Sequence, residues 1–562
     1  MLRFKNYLSK RFYFLKDLIQ FLGIKPSGLP NWRKLIGKNQ SKFLSLKKNN
    51  KNILVATSGG AHKVVNIFNS LLAFILRLKE SNVEFFLCDK VLPACQMSSM
   101  DFINTKTFIK DGPKKLCRHC KLTGESIFEG LGLKINYYSK FLNNEDYIKA
   151  EEIINNIQDF SNIRQLKVDE INIGEHALAG ALRYFTVGDL KCIDPKIAIP
   201  ILKRYIKAAI LVKIASEKIL IKNKIDIVIL DHGLYVPNGI ILSVAKKNKI
   251  KTIAYNTSYR KKTILFSRDE TYHKTFINED EKLWKNIDLN SKVKKRIDDY
   301  LYSRRHGTND WEFYYQKPDF NLNNFKEKND LKKTVVTFMT NTIWDAQLEF
   351  PSNIFKDMIE CIIETIKYFK DRDDITFIIR VHPAEVNHDR PSNQKIADEI
   401  KNVFPVLPKN LKIIAPEDPL SSYSLAEISD CVIIYGSKIG LEIAAMGIPV
   451  IVAGEAWLSN KDITLKPSNQ NEYFELLKKI PLNKKLSASQ IILAKKFAYH
   501  FFFRRMIEIK SLEYFPAKWP PYKINKNIYE IVENRKDKAI ELISNKILHD
   551  EEIIYNDENY IN

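Results

Sequence analysis

No run of eighteen or more apolar residues occurs in this 562-residue chain, so the sequence offers no membrane-spanning helix. A secretory signal is missing as well. Lys and Arg interrupt the apolar residues of the N-terminus, and no small-residue cleavage site follows. The expected location is therefore cytoplasmic. No segment repeats at a fixed period, which excludes solenoid and propeller architectures. Acids are scarce where the chain begins: residues 1–52 hold thirteen Lys or Arg and a single acid, Asp17. That segment supplies about half of the net charge of +23. The remainder is spread thinly, with no basic–aromatic cluster of the kind that binds single strands, so nucleic acid is not expected as a partner. A hydrophobic content of 45% and an aromatic content of 11% exclude global disorder and are ample for sizeable cores.

Within the basic segment, Phe4, Tyr7, Leu8, Phe12, Leu15, Leu18, Ile19 and Leu22 recur at helical spacing, with Lys5, Lys10, Arg11 and Lys16 largely off that stripe. A basic amphipathic helix with aromatic anchors can lie in a membrane interface. The same stripe can equally pack onto the body of the protein. The first reading expects contact between residues 1–24 and the cytoplasmic face of the inner membrane.

Four divisions follow from the patterning: a basic amphipathic segment over 1–50, a Rossmann-like domain over 51–325, a second over 331–484, and C-terminal helices with an acidic tail over 485–562. A short apolar strand at 51–57 runs into Ser58-Gly59-Gly60-Ala61-His62, then a long helical pattern and a strand at 83–88. This βαβ opening predicts a parallel, doubly wound sheet. A buried strand at 226–230 ends in Asp231-His232-Gly233-Leu234-Tyr235. The polar stretch 304–333 reads as a linker. Beyond it, strands at 334–340, 375–381, 411–415, 431–435 and 449–453 alternate with helical patterns. The fold class is α/β, with two Rossmann-like domains facing a cleft and helical extensions at both ends, an organisation that resembles the GT-B architecture. In open parallel sheets ligands bind beyond the carboxyl ends of the strands, so the chemistry is sought there.

In the second domain those ends are polar. Arg380-Val381-His382-Pro383 closes one strand, and Tyr435-Gly436-Ser437-Lys438 leads from another into a helix bearing Glu442. Arg380 and His382, two residues apart, would share a face and bind a phosphate together. Pro383 fixes the turn that presents His382. Gly436 permits close backbone approach, the N–H groups of Ser437 and Lys438 complete an anion cradle, and Glu442 can accept from both hydroxyls of a ribose. Taken singly, each has a bland reading: a satisfied histidine, a helix cap, a solvated glutamate. In the first domain Gly59 and Gly60 allow the backbone to approach a donor phosphate or an acceptor. His62, Asp231 and His232 are the candidates for a base that deprotonates an acceptor hydroxyl.

The second domain resembles the bacterial capsule polysaccharide biosynthesis family, glycosyltransferases with a His-Pro motif. The resemblance covers about residues 50 to 515. It implies that His382 and Pro383 contact the donor's phosphate and that Ser437 and Glu442 contact its nucleotide. Trp344-Asp345, Gly454 and the run Ala498-Tyr499-His500-Phe501-Phe502-Phe503-Arg504 carry it further. The resemblance assigns no acidic base in the first domain from the motif of the Kdo-transferring branch, so the base stays open among His62, Asp231 and His232. The implied reaction moves a sugar from a CMP-, UDP- or GDP-linked donor to a glycan or lipid-linked oligosaccharide acceptor, without a catalytic metal. Alternatives are a CDP-polyol phosphotransferase of teichoic-acid type, a UDP-sugar 2-epimerase and a non-catalytic assembly protein.

Four of the seven cysteines fall in one window: Cys88, Cys95, Cys117 and Cys120. In a reducing cytoplasm clustered thiols point to metal before disulfide, so a structural zinc held by these four is expected, with His119 as an alternative ligand.

Overall fold

The computed structural model describes residues 28–100, 103–311, 317–350, 352–482 and 485–560. The amphipathic stripe over residues 1–24 lies outside them. Two compact units emerge. One comprises the chain to Phe185, then Asp189–Tyr272 and Arg505–Tyr555; the other comprises Thr186–Gly188, His273–Arg504 and the residues from Asn556.

The first unit is built on β1 (Asn52–Ala56), β2 (Asn82–Leu87) and β3 (Ile135–Tyr137). A two-residue hairpin, β4 (Lys167–Val168) and β5 (Ile171–Asn172), precedes β6 (Ile227–Asp231), β7 (Lys251–Thr257) and β8 (Thr263–Arg268). Strands β3, β2, β1, β6 and β7 lie side by side and parallel. Ile53 to Ala56 and all of β6 are buried, as continuous apolar runs covered on both faces must be. β8 turns back antiparallel to β7.

Two parts of this unit depart from the sequence expectation. The segment assigned to helices after residue 485 also forms β14 (Ile507–Glu508), which adds an antiparallel edge to β8, and a hairpin of β15 (Leu512–Tyr514) and β16 (Tyr522–Ile524). Two-residue and three-residue strands carry too little periodicity to be read. Residues 31–46, assigned to the basic N-terminal segment, belong to the core of this unit as well. Trp32, Ile36 and Phe43 join the core, where Trp32 stacks on Phe74 at 4.8 Å. The buried Arg77 guanidinium ties this segment down through the carbonyls of Lys47 (2.8 Å) and Leu44 (3.2 Å).

The second unit holds β9 (Thr334–Met339), β10 (Ile375–Arg380), β11 (Leu411–Ile414), β12 (Cys431–Ile434) and β13 (Val450–Val452). They form one parallel sheet in the order β11, β10, β9, β12, β13. These elements match the predicted strands because their runs are dominated by apolar and β-branched residues and bounded by turn residues. The stretch read as a linker behaves otherwise: Arg304 closes the helix Ser291–His306, and both it and Asp310 are buried. Each sheet is that of a Rossmann-like domain. Among the described residues no helix is long and apolar enough to cross a membrane.

Candidate functional site

In the first unit the neighbouring strands β1 and β6 pair Ala56 with Leu230, so the turns that leave them emerge side by side. This brings Ser58 and His62 against Asp231. His62 Nδ1 lies 4.0 Å from Asp231 Oδ2 and 3.4 Å from Ser58 Oγ. Asp231 is buried, and its carboxylate accepts from Asn238 Nδ2 at 2.7 Å and from Ser58. Burial pushes Asp231 up to about 6, the hydrogen bonds offsetting part of the penalty. Burial, Arg183 and His232 push His62 down to about 4. His62 is thus a neutral imidazole at pH 7, and the carboxylate beside it can stabilise the imidazolium that proton uptake would create.

His232 follows Asp231 with a left-handed backbone (φ 61°), and its N–H is donated to Tyr255 O at 2.9 Å. Its ring lies against Tyr235 and Tyr272. Arg183, from the helix Ile173–Phe185, donates to Tyr235 Oη at 2.9 Å and lies over that ring. Sequence reasoning missed Asn238 and the part Ser58 plays on Asp231. Their signal is only spatial, since Asn238 stands seven residues from its partner across a turn.

Gly59 and Gly60 correct the expectation made for them. A Cβ on Gly59 would stand 2.2 Å from Met97 Cγ, and one on Gly60 only 2.0 Å from the carbonyl oxygen of Cys120. In both places the space a side chain would need is filled by the protein itself.

The zinc expectation is corrected too. Cys88, Cys95, Cys117 and Cys120 do converge, lining one cavity with Leu92, Met97 and Leu116. Yet among the described residues no group of three or more His, Cys, Asp or Glu side chains is arranged to hold a metal ion. Burial raises all four thiols, Cys88 to about 12. Cys120 Sγ instead accepts the Ala61 N–H at 3.3 Å, and the His119 ring meets Thr123.

In the second unit His382 lies just past β10. Its N–H is donated to Thr340 Oγ1 at 2.8 Å, and Nδ1 accepts from the Ala384 N–H at 3.1 Å. Pro383 caps the short helix Ala384–Asn387 and sets that turn. With Nδ1 an acceptor, the ring proton sits on Nε2. Burial first, then Lys438, Arg380 and His388, push His382 down to about 3. The ring is therefore an uncharged donor in a positive field. Lys438, at the cap of the helix Ile439–Ala445, is also lowered, by burial and by Arg304.

Two residues given ligand roles are engaged elsewhere. Arg380 spends its fork on the carbonyls of Ala415 (2.6 Å) and Asp418 (2.8 Å), fixing the loop after β11. Glu442 is 2% exposed and points inward to Arg304 Nε at 2.9 Å, to Tyr423 Oη and to Lys438 Nζ at 3.5 Å. Burial alone would raise it, but Arg304 and Lys438 outweigh that and hold it at about 2. A carboxylate so committed is not available to a ribose diol. Arg304 and Tyr423 were missed because one lies in the supposed linker and the other on a different helix.

The Ser437 hydroxyl lies 3.5 Å from the Ile439 N–H and caps its own turn. Gly436 abuts the Glu455 carbonyl, which a Cβ would approach to 3.0 Å. Asp345 is exposed, whereas its neighbour Trp344 is buried and donates to Ser392 Oγ at 3.1 Å.

No family model matches the chain, and no curated protein matches it. Solved structures do. A Thermosulfurimonas dismutans KpsC β-Kdo 2,4-transferase is 10% identical, over 55% of this chain and 87% of that one, with a TM-score of 0.32. The S. aureus MnaA–UDP co-structure is 11% identical over 80% and 91%, with a TM-score of 0.26. The spinosyn rhamnosyltransferase SpnG is 9% identical over 79% and 95%, with a TM-score of 0.24. At scores this low these likenesses carry no weight for the activity of this chain.

Proposed function

We propose that this chain is a glycosyltransferase that moves a sugar from a nucleotide-sugar donor to a hydroxyl of a glycan or glycolipid acceptor in surface-polysaccharide assembly. One observation carries the reading. At the carboxyl ends of β10 and β12, a neutral His382 with its Nε2 proton sits in a field to which Lys438, Arg380 and His388 all contribute positive potential. Such a field calls for an anion, and a nucleotide diphosphate or monophosphate supplies one. His382 Nε2–H and Lys438 Nζ would bind the phosphate, while Arg380 acts from behind as a source of potential and a fastener of the adjacent loop. As the bond to the anomeric carbon lengthens, the leaving phosphate gains negative charge that these groups stabilise electrostatically, without need of a divalent cation.

The proton of the acceptor hydroxyl goes to His62, whose Nδ1 edge faces Asp231 and Ser58 and whose Nε2 is left for the acceptor. Asp231 holds the ring and stabilises the resulting imidazolium; His232 and Arg183 shape the surroundings of the pair.

Thermal-shift titration with CMP, CDP, UDP and GDP tests the donor half. One nucleotide raises the melting temperature of the wild type, His382→Ala abolishes the shift, and His382→Gln, which keeps a donor, retains part of it. No shift with any nucleotide ends the reading. Product analysis separates transfer of the sugar from transfer of a polyol phosphate.

A further inference from the structure

The hairpin of β15 and β16 projects a tip, residues 515–521, that no catalytic argument uses. The tip is internally braced: Phe515 N–H is donated to Pro521 O at 2.7 Å, and Lys518 N–H to Phe515 O at 3.0 Å. At its end Trp519 is 58% exposed, with Pro516, Ala517 and Lys518 exposed beside it. Aromatic and basic groups interleave there. Lys518 Nζ lies 4.8 Å from the centre of the Phe515 ring, and Lys261 Nζ lies 5.5 Å from that of Tyr514. Residues 509–527 carry Lys510, Lys518, Lys523 and Lys526 against one acid, Glu513. A Cβ on Gly28 would stand 3.0 Å from Pro520 Cδ, and the 27 residues before Gly28 hold six Lys or Arg and one acid.

We infer that the 515–521 tip is a membrane-docking wedge, with Trp519 seated at the headgroup level of an anionic bilayer and the surrounding lysines paired with lipid phosphates. Two features together select this occupant. An indole has an apolar body and a polar N–H, so it partitions to the interface between water and acyl chains. Lysines near an anionic leaflet each contribute roughly 1 kcal/mol, about fivefold in partitioning. The lipid-linked acceptor of the proposed function gives the wedge its setting. Binding is measured without donor, so failure of the wedge and failure of the transferase reading are distinguishable.

The test uses the full chain in flotation assays with phosphatidylcholine vesicles, with and without phosphatidylglycerol. Wild type floats with the anionic vesicles and is released by salt. Trp519→Glu combined with Lys518→Glu lowers partitioning by about tenfold or more. The melting temperature stays unchanged, because both side chains are exposed. Trp519→Phe floats nearly as well as wild type but loses the part of the tryptophan quenching that brominated lipid produces. Three results overturn the inference: wild type that does not float, a double variant that floats like wild type, or quenching in Trp519→Phe equal to that of wild type. Binding to heparin without binding to vesicles overturns it as well.

Discussion

Glu442→Gln separates a structural carboxylate from a ribose ligand. Glu442 and Asp310 face Arg304, with Lys438 beside Glu442, so two acids balance two bases in a buried cluster. The substitution keeps the shape and removes one negative charge. Holding a carboxylate at about 2 against an ordinary 4.5 corresponds to about 3 kcal/mol in favour of the charged form. Breaking a buried pair outright costs about 3–5 kcal/mol; Asp310 remains opposite Arg304, so the lower end applies.

For a unit of this size, about 3 kcal/mol lowers the unfolding midpoint by about 6–12 °C. The pH dependence has a definite sign. Because the folded value is depressed, the stabilisation is present above about 4.5 and is lost as pH falls toward 2. The gap between wild type and Glu442→Gln is therefore full at pH 7 and narrows in acid. Calorimetry at several pH values, with nucleotide titration alongside, measures both effects. An unchanged midpoint with a tenfold or greater fall in nucleotide affinity (about 1.4 kcal/mol) would refute the reasoning and return Glu442 to the ribose.

Arg380→Ala removes two charge-assisted hydrogen bonds to the loop after β11 and is expected to destabilise the second unit by about 2–4 kcal/mol, read as a lower midpoint in urea. Gly60→Ala drives a methyl group into the Cys120 carbonyl, so transfer activity falls well before nucleotide binding does; equal losses of both count against the assignment. In a transfer assay kcat/KM declines as pH drops through about 6, where Asp231 takes up a proton, and Asp231→Asn flattens that limb while lowering the plateau. In denaturant a thiol reagent titrates all seven cysteines, because each is a free thiol in the folded chain.

The sequence alone determined the two parallel sheets. Short apolar runs such as 53–56, 377–379 and 431–435, bounded by turn residues, read as strands covered on both faces, and the turns after them mark the ends where ligands bind. It also named His62, Asp231, His382 and Lys438, because strand-end position is legible from local pattern. What a side chain does after leaving the strand was decided by residues distant in sequence. Glu442 was captured by Arg304 from a stretch without periodicity, Arg380 by two carbonyls beyond β11, Gly59 by Met97 and Gly60 by the helix Lys114–Phe128 lying across it. The four thiols followed the same rule: they share one cavity, but among the described residues no three His, Cys, Asp or Glu side chains are arranged there to hold a metal. Local periodicity encodes which face is buried. Which charge meets which depends on long-range packing, and only the tertiary structure supplies that.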